Sequence, residues 1–133
     1  MDRDIVNRYD KNFYKIMAEN FGDEIFVTDG EGIVLFVNPA AVKVIGKPIT
    51  EIVGRNVGEL VYEGFFKPSV TLEVIRQRKQ VNEIQHLMDG RTVLCTGVPI
   101  FDDLQENIRM IISTTKDVDA LNQILDTIET QKE

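Results

Sequence analysis

Two short apolar runs, hinged on glycines and ending in a helix cap, constrain this chain most; they lie between Glu24 and Ala41. Ile25 to Thr28 and Ile33 to Val37 are β-branched and aromatic, side chains that suit a pleated, half-buried strand. Between them, Asp29-Gly30-Glu31-Gly32 provides an Asx-type turn former and two residues free to adopt positive φ. Asn38 then offers a side-chain oxygen to orphan helix amides, and Pro39 fits the first helical position. A hairpin running straight into a capped helix points to a sensory module more than to a catalytic one.

The rest of the chain reads as helix, mixed core, helix. Residues 2–20 carry Val6, Tyr9, Phe13 and Ile16 at spacings of three and four, an amphipathic helix that Gly22 ends. Pro39 to Ile45 is a short helix stopped by Gly46. Thr50 to Val53 adds a helical turn before Gly54. Residues 68–79 form a longer helix, with Val70, Thr71, Leu72, Val74 and Ile75 on one arc and Ser69, Glu73, Arg76 and Gln77 opposite. Three strands follow: Val81 to Met88, Arg91 to Phe101 and Asn107 to Thr115, the first two joined at Asp89-Gly90, a strong hairpin signal. Ile108 to Ile112 is apolar on both parities except at Arg109, the pattern of a central strand. Pro99 cannot donate to a ladder, so it belongs where its strand outruns one neighbour. Asp117 to Gln131 resumes helical spacing, with Val118, Leu121, Leu125 and Ile128 on one stripe. The expected division is 1–21 as an N-terminal amphipathic helix, 22–116 as the central domain and 117–133 as a C-terminal linker helix.

Bulk properties narrow the function classes. The 133 residues suffice for one domain that buries roughly two-thirds of its unfolded surface. Acidic residues outnumber basic ones 22 to 15, a net charge of −7 that disfavours nucleic acid and anionic membrane as direct partners. The single cysteine, Cys95, rules out an internal disulfide and fits a reducing compartment. No apolar stretch approaches the roughly 20 residues of a membrane span. The start Met-Asp-Arg-Asp has no signal-peptide character, so the expected location is the cytoplasm.

The order of elements, with Asp29-Gly-Glu-Gly32, Val37-Asn-Pro-Ala-Ala41, Ile52-Val-Gly-Arg-Asn56 and Thr115-Lys-Asp-Val-Asp-Ala-Leu121, resembles the PAS sensory domain family over residues 22–118. The segment from Glu63 to Ile75 is similar to PAS domains at the front of bacterial enhancer-binding transcription activators that work with the alternative sigma factor. The resemblance implies an α+β fold: a five-stranded antiparallel sheet with helices on one face, flanked by the two amphipathic helices. It also implies a module within a longer parent chain, joined to an output domain by the C-terminal helix. The signal junction would be Asp117-Val118-Asp119, whose third residue departs from the family's Asp-aliphatic-Thr pattern. Helix entry survives that change because Asp can cap; a signalling role for a hydroxyl there does not.

Two functions stay open at this stage. One is a ligand sensor, whose pocket would draw on Val27, Leu72, Ile75, Leu94 and Met110, with Arg55 and Asn38 as polar groups. The other is a degenerate PAS domain with a filled core, used for dimerisation and assembly. Asn38, Arg55 and Arg109 have structural readings as well: a helix cap, a loop salt bridge and an exposed strand position. The stripes Val6-Tyr9-Phe13-Ile16 and Val118-Leu121-Leu125-Ile128 are too short to be stable helices alone, so a homodimer seam is expected of at least one.

No specific cofactor is assigned. The long helix offers no His, Cys or Met for haem, and His86 stands alone on a strand. Val57 follows Gly54-Arg55-Asn56 where the flavin photoreceptors of the family carry a reactive Cys. Cys95 reads as a small buried residue. No cluster has metal-ligand spacing, Gly30-x-Gly32 is not a dinucleotide fingerprint, and neither Ser69 nor Ser113 sits in a nucleophile elbow. Catalysis is therefore not expected. Arg76-Gln77-Arg78-Lys79 ends a helix, where cations offset the carbonyl end of the dipole.

Overall fold

The computed structural model describes residues 11–65, 69–86 and 90–132. The elements, in chain order, are α1 (Lys11–Glu19), β1 (Glu24–Asp29), β2 (Val34–Val37), α2 (Pro39–Ile45), a 3-10 turn (Ile49–Glu51), α3 (Val57–Tyr62) and α4 (Val70–Gln77). They continue with β3 (Val81–His86), β4 (Thr92–Phe101), β5 (Ile108–Asp117) and α5 (Val118–Lys132). The five strands form one antiparallel sheet in the order β2-β1-β5-β4-β3. The α+β architecture is as expected, and β5 is the central strand.

Local chemistry sets the boundaries. In the first hairpin, the Asp29 carboxylate accepts from the backbone N–H of Glu31 and of Ile33 at 2.9 and 3.0 Å. Gly30 passes so close to β5 that an added Cβ would lie 1.8 Å from the Ile108 carbonyl oxygen. Asn38 caps α2, Asn56 caps α3 and Ser69 caps α4, each through a side-chain oxygen. Pro99 pairs with Ile111 of β5 beyond the last β3 partner, Gly97, so its missing N–H costs no ladder bond.

Three expectations need correction. A helix, α3, follows Asn56 where the sequence reading had none; its signal was the cap followed by Val57 and Leu60, both buried. Ser69 is buried as a cap, although the wheel placed it on the solvent side. Leu72, placed on the apolar arc, is 37 % exposed. The seam residues Val6 and Tyr9 lie outside the described residues.

Directly opposed residues of an antiparallel pair share a face. One face carries the rows Val37-Phe26-Ser113-Gly97-Val81 and Val34-Thr28-Ile111-Pro99, and the helices cover it. Two core clusters result. Val34, Val37, Ala41, Ile52, Val57 and Leu60 form one; Val70, Val74, Val81, Val93, Cys95 and Ile111 form the other. The opposite face carries Phe36-Val27-Ile112-Val98 and Leu94-Ile84, and stays partly open: Ile84 is 58 % exposed. Among the described residues no helix is long and apolar enough to cross a membrane.

Gly97 lets α4 lie against β4. A Cβ there would approach Val74 Cγ2 to 2.7 Å and Val70 Cγ2 to 3.4 Å. Gly97→Ala is expected to lower stability by about 1–3 kcal/mol through overpacking, read as a shift in the urea midpoint. An unchanged midpoint would mean that α4 sits further from the sheet.

Candidate functional site

Strand β5 becomes helix α5 without a loop. Asp117 is still paired with Val93 of β4, and its carboxylate already accepts from the backbone N–H of Ala120 at 3.1 Å. The cap is therefore the first residue of the junction Asp117-Val118-Asp119. Asp119 sits in the first helical turn, where a negative charge suits the positive end of the helix dipole. With no loop to absorb it, a shift of the central strand must move the base of α5. Beyond that base, Leu121, Ile124, Leu125 and Ile128 are all exposed, Leu125 by 57 %. Val118 is half-buried. In α1, Phe13 and Ile16 are exposed as well.

Beside the junction, the sheet's helix-facing side ends in a polar row, Glu24-Thr115-Cys95-Glu83, crossing β1, β5, β4 and β3 in register. Cys95 Sγ lies 3.6 Å from Thr115 Oγ1. Burial raises the thiol pKa, the Thr115 hydroxyl opposes that, and the nearby Glu24 and Glu83 add to it, so the protonated thiol is favoured. Burial also pushes the Glu24 carboxyl up to about 7; Arg91 opposes the shift and Asp23 reinforces it. One row further in, Thr71 Oγ1 and Ser113 Oγ share a hydrogen bond of 3.1 Å, tying α4 to β5 inside the core. Register, not composition, assembles these residues, so a linear reading had no signal for them beyond their polarity in otherwise apolar runs.

The side chains expected to line a pocket are dispersed. Val27 opposes Phe36 and Ile112, Leu94 opposes Ile84 and Lys116, and Met110 opposes Asp29 and Ile100. All three therefore point to the opposite side of the sheet from α4. Leu72 faces solvent. Ile75 alone of the five packs at the helix side, against the second core cluster, with its Cδ1 3.5 Å from where a Cβ on Gly32 would lie.

The two polar candidates are engaged in structure. Asn38 is fully buried: its Oδ1 accepts from Ala41 N at 3.0 Å and Ile25 N at 2.9 Å, and its Nδ2 donates to the carbonyls of Asp23 at 2.8 Å and Ala18 at 3.4 Å. Both ends of its amide are used. Arg55 pairs with Glu59 at 3.4 Å and with Glu63, and its guanidinium lies 5.8 Å from the Phe65 ring centre. It borders an open surface hollow of about 440 Å³ with Gly58, Glu59, Tyr62 and Glu63, away from the sheet. Arg109 is exposed, and His86 is exposed with Nδ1 3.2 Å from Thr92 Oγ1. Among the described residues no three His, Cys, Asp or Glu side chains group to hold a metal ion.

Comparisons with known proteins agree with this geometry. A family model described as PAS domain matches residues 22–120. The PAS domain of BvgS from Bordetella pertussis is similar at 21 % identity and a TM-score of 0.61, covering 90 % of this chain and 96 % of that one. A sensory box sensor histidine kinase from Vibrio cholerae aligns at 9 % identity and a TM-score of 0.57, over 86 % of this chain and 94 % of that one. DhaR(N), solved in complex with DhaL from E. coli, aligns at 22 % identity and a TM-score of 0.59, over 85 % of this chain and 36 % of that one. At these identities the likeness is one of fold. Comparison with curated protein sequences gives no match.

Removing the Asn38 amide strands the Ile25 N–H and the Asp23 carbonyl. Asn38→Ala is expected to cost about 2–4 kcal/mol in urea unfolding. Asn38→Asp should not rescue it, since it repels the two carbonyls that Nδ2 serves. Stability near wild type for either variant would contradict this role.

Proposed function

Because the chain belongs to the PAS domain family, a typical sensor module of signalling proteins, we propose that it acts as a dimerising signal relay whose output leaves through α5. The observation that carries this reading is the loop-free passage from the central strand into a helix with an exposed apolar stripe. A 15-residue helix is marginal alone in water, so the stripe calls for a partner. A second copy of the same helix is the simplest one, by isologous pairing. Paired helices have alternative packings a few degrees apart, so small movements of β5 are amplified along them. The output domain would sit in a longer parent chain in the cytoplasm, and activation of transcription is the output we favour from the Glu63 to Ile75 segment. This chain itself would contact neither nucleic acid nor membrane.

Two observations support relay over small-molecule sensing beneath Leu72 and Ile75. Val74 closes on Gly97, and Val27, Leu94 and Met110 lie on the far side of the sheet. A ligand under Leu72 and Ile75 would have to displace those contacts.

The test is the mass of the native assembly. The wild-type chain should be a dimer of bare polypeptide by native mass spectrometry, and Leu121→Glu with Leu125→Glu should give a folded monomer. A dimer that survives both substitutions would exclude the α5 seam. A reproducible added mass on the wild type would restore the ligand-sensing function.

A further inference from the structure

The two edges of the sheet are not alike. β2 is four residues long, pairs with β1 through a register shift, and has its outer side occupied. Val34 N donates to the Arg55 carbonyl at 2.9 Å, Gly54 N donates to the Val34 carbonyl at 2.8 Å, and Ile33 bridges Asn56. At the other edge, the six residues of β3 pair with β4 without a shift, and among the described residues no strand lies beyond them. Natural edges are usually blunted by proline, lysine or a bulge; β3 has none of these, and it exposes Ile84. Its one carboxylate is Glu83.

We propose that the free edge of β3 pairs antiparallel with β3 of a second copy, joining the two sheets edge to edge. The strand is complementary to itself in one register. Directly opposed residues share a face, so a two-fold axis normal to the sheet must pass through a residue. The middle of the strand offers Glu83 or Ile84. With Glu83 on the axis, two carboxylates would meet, which is unfavourable. With Ile84 on the axis, Ile84 packs on its own copy, Glu83 meets the amide of Gln85, and Asn82 meets His86. The charge of Glu83 thus selects the register and does not block the edge.

The pairing continues a pattern already present in one copy. Ile84 opposes Leu94 of β4 on the side of the sheet away from α4, so Leu94, Ile84 and their copies form one apolar row. Only the β3 backbone groups turned to the edge gain partners. The bonds from β3 to β4 are the same in one copy or two.

This contact rests on the dimer proposed above, because a short two-stranded pairing is marginal by itself in water. The base of α5 packs against β4, the strand next to β3, so the helix and the free edge lie on the same side of β5. A seam between two α5 helices holds the second β3 at high effective concentration, and the edge then adds its bonds to those of the seam.

The experiment is in-register cross-linking of the full chain. Directly opposed residues stand about 4.5–5.5 Å apart at Cα, within disulfide range. Ile84→Cys should therefore give a covalent dimer under oxidised glutathione, read on a non-reducing gel. Asn82→Cys should not, since about 13 Å of strand separates it from its own copy. Both positions are exposed, and the wild type, whose Cys95 is buried, is the control. No cross-link at Ile84→Cys, or equal cross-linking at both positions, overturns the proposal. Repeating Ile84→Cys with Leu121→Glu and Leu125→Glu separates the edge from the seam. Loss of the cross-link there supports an edge that rests on the seam, whereas an in-register cross-link that persists upholds the edge and excludes the seam as its basis. Ile84→Lys, which sets two cations on the axis, should weaken the dimer about tenfold. An unchanged dimer affinity in that variant would also overturn the proposal.

Discussion

One carboxamide organises this domain. Asn38 holds the end of α1, the start of β1, the end of β2 and the start of α2 through four hydrogen bonds of a single buried side chain. Its own backbone adds the N–H to Ile25 O and accepts from Val42 N, at 3.1 Å each. An Asn can do this because its amide both donates and accepts, and burial makes each unmade bond costly. The first strand is thereby registered against the helix layer. Everything downstream in the sheet is registered against that strand, from β5 through β4 to β3.

The element order was legible because turn and cap chemistry are local. The Asp29 turn, the Asn38 cap with Pro39, and the strand-breaking Pro99 each declare themselves within a few residues. The facing of the strands was not legible, and β4 shows why. Its outward positions, Thr92, Leu94, Thr96, Val98 and Ile100, include larger aliphatics than its inward ones, Val93, Cys95, Gly97 and Pro99. The inward residues are small because α4 packs closely at Gly97, so hydrophobicity alone points to the wrong side. In β5, Ile108 to Ile112 is apolar on both parities except at Arg109, which leaves little contrast to read. Leu94 and Met110 therefore read as pocket residues in the sequence although they face away from α4.

The same register creates the features with functional interest. Thr71 and Ser113 place a shared hydrogen bond between α4 and the central strand, and Thr115 brings Glu24 and Cys95 beside the α5 junction. Polar groups thus line part of the strand that continues into α5. In the proposed relay, a perturbation at α4 or β1 would reach α5 through hydrogen-bonded strands, with no loop between Asp117 and Val118. The family relationship supplies the class of function, and this arrangement supplies a route for it.

The proposed relay depends on α5 finding a partner. Hydrogen exchange of the wild-type chain at two well-separated protein concentrations tests that most directly. The sheet should be protected equally at both, because its bonds are internal to one chain. The α5 amides should be protected at high concentration and lose that protection on dilution. Protection of α5 that is identical at both concentrations, or absent at both, would contradict a helix stabilised by a second copy.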